Sequence, residues 1–445
     1  MFNLLKIYSL VLLGLLFNYN VFAQTVPNPS FNTFEPIQVG KSHNQNSDNT
    51  NKANHPSPKP SSNSNNNSIH TSQPLSPSEV KQIVLSSINY EEKNNKEISY
   101  KMPPCNNLEG KNHYDQAYIS YLDMLEGREK LDIGKAIFLT ENAYLGNKLK
   151  YEDFDRQLNE IISFCKRKLK ENKTENDPLA KIMILHRYFS DTLKVWNPQK
   201  GKMDIHYPFK YDFNDYWGHE DWTKLFVTKL LATNSGQCHS LPLLFIALAQ
   251  RMGVKANLSY SPEHSYIRFH DNKGRWYNLE LTNGMLTSDS WISGSGFVKS
   301  EAIKSGIYMD TLSQKQTVAY CLMDLAKGYG LKYCYDEFVL QALNTGLKHH
   351  SNNIYGLQIK SDYYTLWFHH ALQQAGKPSP NEIHRYPDAE AILKQRNQIY
   401  ALIDNLGYEQ MPKEAYEQWL KSLEQEKEKQ EHHNKLINLE NSINR

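Results

Sequence analysis

Three short stretches supply the residue types needed for acyl transfer by a thiol. They are Gly236-Gln237-Cys238-His239-Ser240-Leu241, then Pro262-Glu263-His264-Ser265-Tyr266, then Trp276-Tyr277-Asn278-Leu279-Glu280. A thiol attacks only as the thiolate, so a nucleophilic cysteine needs surroundings that draw its pKa from about 8.5 into the range of roughly 3.5 to 7.5. An imidazole can hold the thiolate as an ion pair and hand a proton to the leaving group. A carboxylate can then accept from one ring nitrogen and leave the other for the thiol. Cys238, His264 and Glu280 are accordingly the candidate catalytic set. Taken singly, each has an ordinary alternative: a small buried thiol, a strand-end histidine, a solvated strand carboxylate. Their order and short spacing give the set its weight.

The elements around them follow from periodicity. Asn234-Ser235-Gly236 reads as a turn, after which Leu241, Leu244, Phe245, Leu248 and Met252 recur at three- and four-residue steps, predicting a helix that opens near Cys238. Unpaired amides and the dipole at such an end favour negative charge. Pro242 would clash with the carbonyl of Cys238 if it lay beyond the first turn, so the helix begins at about Cys238 or His239 or has a kinked first turn. His264 to Phe269 and Arg275 to Thr282 read as strands joined by the polar segment His270 to Gly274. A loop of three residues (271–273) or five (270–274) sets His264 directly opposite Glu280 on one face. A four-residue loop turns Glu280 to the other face.

This arrangement resembles the transglutaminase-like superfamily, whose members share a papain-like core. They carry a Gly-x-Cys motif opening a helix, a histidine beginning a strand, and an acidic residue in a following Trp-x-x-x-Asp-x-Thr strand. Here that strand reads Trp276, Glu280, Thr282, with glutamate where the family has aspartate. Asn278, two residues away on the same strand face, is the alternative orienter, since the papain side of the superfamily uses asparagine. The resemblance spans roughly Trp222 to Thr282. It implies an α+β fold in which the cysteine helix packs on an antiparallel sheet bearing the histidine and the acid, flanked by helical N- and C-terminal regions. It also implies a protein or peptide substrate and a thioester acyl-enzyme; with no Gly-rich phosphate loop, dinucleotide fingerprint or Cys-x-x-Cys in the sequence, no cofactor or metal is expected. Hydrolysis, as a peptidase or amidase, is favoured over crosslinking acyl transfer. The competing class is a catalytically silent scaffold serving as an interaction module. Relatives place a tryptophan upstream of the cysteine beside the oxyanion, which points to Trp217 or Trp222, with the backbone N–H of Cys238 as the other donor. Both lie in an aromatic- and acid-rich stretch, Tyr207 to Trp222, that reads either as core packing or as a cleft wall.

The remainder of the chain divides by composition. Lys6, the apolar run Ile7 to Phe17 and Val21-Phe22-Ala23 read as a signal peptide over 1–23, predicting a secreted or periplasmic protein without a membrane span in the mature chain. Residues 24–78, rich in Asn, Ser and Pro, read as a disordered linker. Helical patterns are expected over 79–200, the thiol core over 201–300, and further helices over 301–410. The length beyond the linker predicts two or three packed units. Val339, Leu343 and Gly346 with Ser361 and Tyr364 loosely suit a tetratricopeptide-like helix pair, although generic helical packing fits better. Stacked pairs would offer a concave surface to a protein partner. The tail, 411–445, reads as a charged, solvated helix. Five cysteines leave one unpaired; Cys321 and Cys334 are the most plausible bridge, and Cys238 the free thiol. The adjacent histidine pairs His349-His350, His369-His370 and His432-His433 diverge on a helix and read as surface residues rather than metal ligands. A net charge of +2 from 50 basic and 48 acidic residues gives no field for nucleic acid.

Overall fold

The computed structural model describes residues 74–106, 108–294 and 298–422, together with 425 and 428. The signal peptide, nearly all of the linker and the pair His432-His433 lie outside the described residues. The linker ends earlier than its composition suggests. Helix α1 (Pro77–Asn94) opens on a capping box in which the Ser76 side chain accepts from Glu79 N and Glu79 Oε2 accepts from Ser76 N at 2.7 Å. Leu75 is already buried. The Ser-x-x-Glu signal for this start lies in the sequence, inside a stretch whose composition says otherwise.

Four helices follow: α2 (Lys111–Leu125), α3 (Ile133–Tyr144), α4 (Tyr151–Glu171) and α5 (Pro178–Ser190). Strands β1 (Leu193–Asn197) and β2 (Lys202–His206) form an antiparallel hairpin. The short strand β3 (Lys210–Tyr211) pairs in parallel with β4 (Ser235–Gly236), the crossover containing α6 (Val227–Thr233). Helix α7 (Ser240–Arg251) leads into an antiparallel meander of β5 (Asn257–Ser261), β6 (His264–His270), β7 (Trp276–Glu280) and β8 (Met285–Thr287). Two short helices, α8 (Asp289–Gly294) and α9 (Ser300–Lys304), precede four long ones: α10 (Gln314–Lys332), α11 (Glu337–His349), α12 (Ile354–Gln374) and α13 (Pro387–Asn405). With 59% of the structure helical and only small sheets, the chain belongs to the mixed class of helix and sheet, in keeping with α+β.

Helix α7 is central. Every residue from Ser240 to Ala249 is buried, because α3, α4, α5 and α6 cover it on some sides and β5 and β6 on the others. The apolar stripe read from the sequence understates this, since a helix apolar all round is one surrounded by protein.

The N- and C-terminal helical regions are packed against each other. Helix α10 lies against α2, α3 and α11, and a buried ion pair joins Lys360 Nζ on α12 to Glu91 Oε1 on α1 at 2.8 Å. One cluster of buried apolar residues runs from Leu75 to Leu406, and a second, small one comprises Met411, Tyr416, Trp419 and Leu420. The disulfide also departs from expectation: Cys334 is bonded to Cys105, not to Cys321. Cys321 lies in the middle of α10 and Cys334 just past its end, so an intervening helix at about 1.5 Å per residue holds them roughly 18 Å apart, far beyond bridging reach. Cys165, Cys238 and Cys321 are free. Among the histidine pairs, His350 is buried rather than exposed, its Nδ1 3.2 Å from Asn353 Nδ2. Among the described residues no helix is long and apolar enough to cross a membrane.

Candidate active site

The loop before α7 is fixed by backbone pairing. Tyr211 faces Gly236 across β3 and β4, and Asp212 N donates to Gly236 O at 2.8 Å. A side chain at 236 has no room, because a Cβ there would stand 2.6 Å from Ser240 Oγ and 3.0 Å from Leu230 Cδ1. Gln237 N donates to Ser240 Oγ at 3.1 Å and Leu241 N to Gln237 O at 3.0 Å, so the chain coils into α7 immediately around Cys238. Pro242 is the third residue of α7, where its missing N–H costs nothing, and no kink is required. Gln237 Nε2 reaches the carbonyls of Asn214 and Asp215, each at 3.3 Å, which ties the aromatic segment to the cysteine loop.

Two buried polar groups brace this region. The Glu141 carboxylate accepts from Val227 N at 2.7 Å and Thr228 N at 2.8 Å, satisfying the open N-terminus of α6, and burial pushes it up to about 7. His239, next to the cysteine, places Nδ1 3.0 Å from Tyr320 Oη and Nε2 3.6 Å from Asp324 Oδ2. Burial pushes His239 down to about 4, so its ring is neutral at pH 7, and pushes Asp324 well up from the ordinary carboxylate range.

His264 begins β6 after a tight turn, Pro262-Glu263, and pairs with Ser261. Its Nε2 lies 2.5 Å from Glu280 Oε2, both side chains being almost wholly enclosed. Glu280 Oε1 accepts from Thr282 N at 2.9 Å. Burial would depress the His264 pKa, but the Glu280 carboxylate, with a smaller contribution from Cys238, raises it to about 9. For Glu280, burial pushes upward, and the charge and hydrogen bond of His264 with the Thr282 N–H bring it below the ordinary value. The other ring nitrogen, Nδ1, is buried without a hydrogen-bond partner.

The strand register is of the expected parity but displaced by one pair. His270 faces Trp276 and Ile267 faces Leu279, so the loop is Asp271 to Arg275. Asp271 closes it, accepting from Lys273 N at 2.8 Å and Arg275 N at 2.9 Å. Glu280 therefore shares a face with His264 but sits diagonally to it rather than opposite. Diagonal neighbours are roughly 7–8 Å apart and need long side chains to meet, which accounts for glutamate at this position. Asn278, the alternative orienter, donates instead to Asp289 Oδ1 at 2.8 Å and takes no part.

The structure also brings in residues that were not singled out. A helix over 413–422 lies across the mouth of the site. Tyr416, fully buried, sets its hydroxyl 3.8 Å from Cys238 Sγ. The Trp419 ring packs edge-on to His264 with centroids 4.3 Å apart. Tyr216 and Trp217 lie beside Tyr416 at 5.2 and 5.3 Å. The expectation of a solvated tail thus fails for its first turns. Met411, Tyr416, Trp419 and Leu420 form an apolar stripe, whose 416, 419, 420 spacing is helical and readable, though charged neighbours mask it. Tyr211 also borders Cys238; burial, then the sulfur's charge, holds its phenol and that of Tyr416 far above the usual value, so both stay protonated. Of the two candidate tryptophans, Trp217 lies at the site, its indole N–H buried and unpartnered. Trp222 packs instead between Tyr144 and Phe226.

No family model, curated protein or solved structure matches the chain, so the site is interpreted from its own geometry. Among the described residues, no group of three or more His, Cys, Asp or Glu is placed to hold a metal ion.

Proposed function

We propose that the chain is an exported cysteine enzyme of transglutaminase-like type, with a papain-like core, acting on amide bonds of polypeptides. The observation that carries this reading is the division of the His264 ring: Nε2 is committed to a buried carboxylate at 2.5 Å, while Nδ1 is left unpaired on the enclosed side. A buried imidazole nitrogen without a partner is costly unless something uses it, and the charge of Cys238 is felt by this ring. Cys238 is the side chain besides Glu280 that favours the charged ring, through a side-chain contact as well as its charge, and such contacts are often long or poorly aligned in a site not holding substrate.

In the proposed reaction Cys238 Sγ, as thiolate, adds to the amide carbonyl carbon. The imidazolium of His264 gives its proton to the departing amine as the C–N bond breaks, leaving a thioester. His264, now neutral, takes a proton from water as that water attacks the thioester, and the sulfur leaves as thiolate. An amine in place of water gives crosslinking by the same steps. The backbone N–H of Cys238 and the unpartnered indole N–H of Trp217 are the candidate donors to the developing oxyanion. The signal-peptide reading, which falls outside the described residues, supplies the export.

The contact of Tyr416 with the sulfur favours a second reading, a silent scaffold whose thiol is permanently covered. One experiment separates the two. The protein is incubated with a denatured polypeptide mixture and hydroxylamine, and acyl-hydroxamate formation and new chain ends are followed by mass spectrometry. Both products, absent from the Cys238→Ala protein, are expected; their absence from both proteins, with Trp419→Ala also inactive, leaves the scaffold reading standing.

A further inference from the structure

The helix over 413–422 occupies the place a substrate must take. A carbonyl carbon has to come within about 3 to 3.5 Å of the sulfur to be attacked, and the Tyr416 hydroxyl stands there at 3.8 Å. Trp419 covers the His264 ring, the group that must reach the leaving amine. The helix is held by a patch of aromatic side chains, Tyr211, Tyr216, Trp217 and Trp291, and its three buried apolar residues, with Met411 just before it, form a cluster of their own, distinct from the continuous core that ends at Leu406. A groove of about 530 Å³, bordered by Trp291, Gln418 and Trp419, runs beside it. Four buried side chains are few to set against the ordering of a dozen residues.

Resting on the reading of the site as a thiol enzyme, we propose that the trough formed by Tyr211, Tyr216, Trp217 and Trp291 is a subsite for an aromatic-bearing polypeptide segment, and that residues 411–422 fill it as a tethered substrate mimic. The trough's four named walls are all aromatic, and the buried residues packed against them are led by a tyrosine and a tryptophan three positions apart, with Met411 and Leu420 beside them. Flat rings of this kind pack edge-to-face and offset, with an attraction beyond that of the area they bury. The phenol that meets the sulfur is protonated and presents a hydrogen rather than an acyl carbon, so the mimic binds without reacting. Displacement of the helix by a substrate segment of the same character uncovers the thiol.

The test compares full-length protein with the full-length Tyr416→Ala/Trp419→Ala variant. Cys238 alkylation by iodoacetamide is timed by mass spectrometry, and a thermal melt is recorded for each. The variant is expected to melt cooperatively and to alkylate at least tenfold faster. A synthetic peptide of residues 411–422 added to it is expected to restore protection, and the same peptide with both aromatics replaced by alanine is expected to fail. Equal alkylation rates in the two proteins overturn the proposal, as does a variant that no longer melts cooperatively, since the helix would then be part of the core. Equal protection by the two peptides overturns the aromatic subsite. Alkylation requires no turnover, so a variant that alkylates fast but forms no acyl-hydroxamate refutes the enzyme reading and leaves the subsite intact.

Discussion

Replacing Glu280 by glutamine tests the electrostatic design of the site most directly. The rise of the His264 pKa from 6.5 to about 9 corresponds to ~3 kcal/mol of preference for the charged ring, at about 1.4 kcal/mol per decade. Its chief support is Glu280, and burial opposes it. Glutamine keeps the shape and an acceptor oxygen but not the charge. Burial then prevails, and the midpoint should fall to 6.5 or below. At pH 8 the protonated fraction drops from about nine-tenths to a few per cent, roughly a thirtyfold loss of the imidazolium that holds the thiolate. The measurement is the His264 ring titration by NMR with isotope-labelled histidine, assigned by its disappearance in His264→Gln. Stability follows the same sign: a raised folded-state value contributes fully below 6.5 and is lost as pH rises through about 9. The stability gap between wild type and Glu280→Gln should therefore be widest in mildly acidic buffer and close through pH 9. A Glu280→Gln midpoint still near 9 refutes the assignment. Glu280→Asp probes the register separately: it keeps the charge but is one methylene too short for a diagonal partner, so its midpoint should lie between the two. A wild-type midpoint in Glu280→Asp refutes the argument from diagonal reach.

Three further outcomes are expected. Thiol titration of the denatured, unreduced protein should count three groups, and in the native protein only Cys238 should react, because Cys165, whose thiol burial pushes up to about 12, and Cys321, which burial also pushes well up, are enclosed; a second fast thiol in the native state contradicts this. Glu141→Leu leaves two amides of α6 without acceptors, which should cost about 2–4 kcal/mol in urea unfolding, whereas Glu141→Gln, retaining one acceptor, should cost less; equal costs would show that the carboxylate is not capping both amides. His350, held by burial at about 4, contributes stability that is present above 6.5 and lost as pH falls toward 4; His350→Gln should remove ~3 kcal/mol of that acid limb, and an unchanged limb shows that the residue does not titrate there.

Much of the site was legible because its residues lie within some forty positions and obey local rules. Gly236, the helix after Cys238 and the strands bearing His264 and Glu280 are all local patterns, and the structure brings the last two side chains into contact. Parity alone put those two on one face; the offset by one pair depended on how Asp271 closes its turn, which periodicity does not encode. What the sequence concealed came from distance along the chain. Nothing near Cys334 indicates Cys105 as its partner, and nothing near Cys238 indicates Tyr416, 178 residues away. The stripe of Tyr416, Trp419 and Leu420 was visible, but its partners Tyr216 and Trp217 lie in another segment whose aromatic density fitted core packing equally well.

The division of labour in the molecule follows from where each part is held. Helix α7 is enclosed by four helices and two strands, and its first turn is pinned by Gly236, Ser240, the Gln237 amide and the His239 contacts with α10. Such an environment leaves the sulfur little freedom, which is what the proposed role of nucleophile requires, since the sulfur would have to meet a carbonyl within tenths of an ångström. The His264–Glu280 pair is equally enclosed, and its low exposure strengthens the attraction between the two charges. The groups that cover the sulfur belong to a small aromatic cluster outside that core. The proposed chemistry and its proposed cover therefore reside in different parts of the structure. Loosening the cover should speed access to Cys238 and, by exposing the ring that Trp419 packs on, relieve the burial that opposes its charge, so the His264 midpoint should not fall. Glu280→Gln should lower that midpoint without changing access; faster alkylation in Glu280→Gln would mean that the pair and the helix over 413–422 are held as one unit.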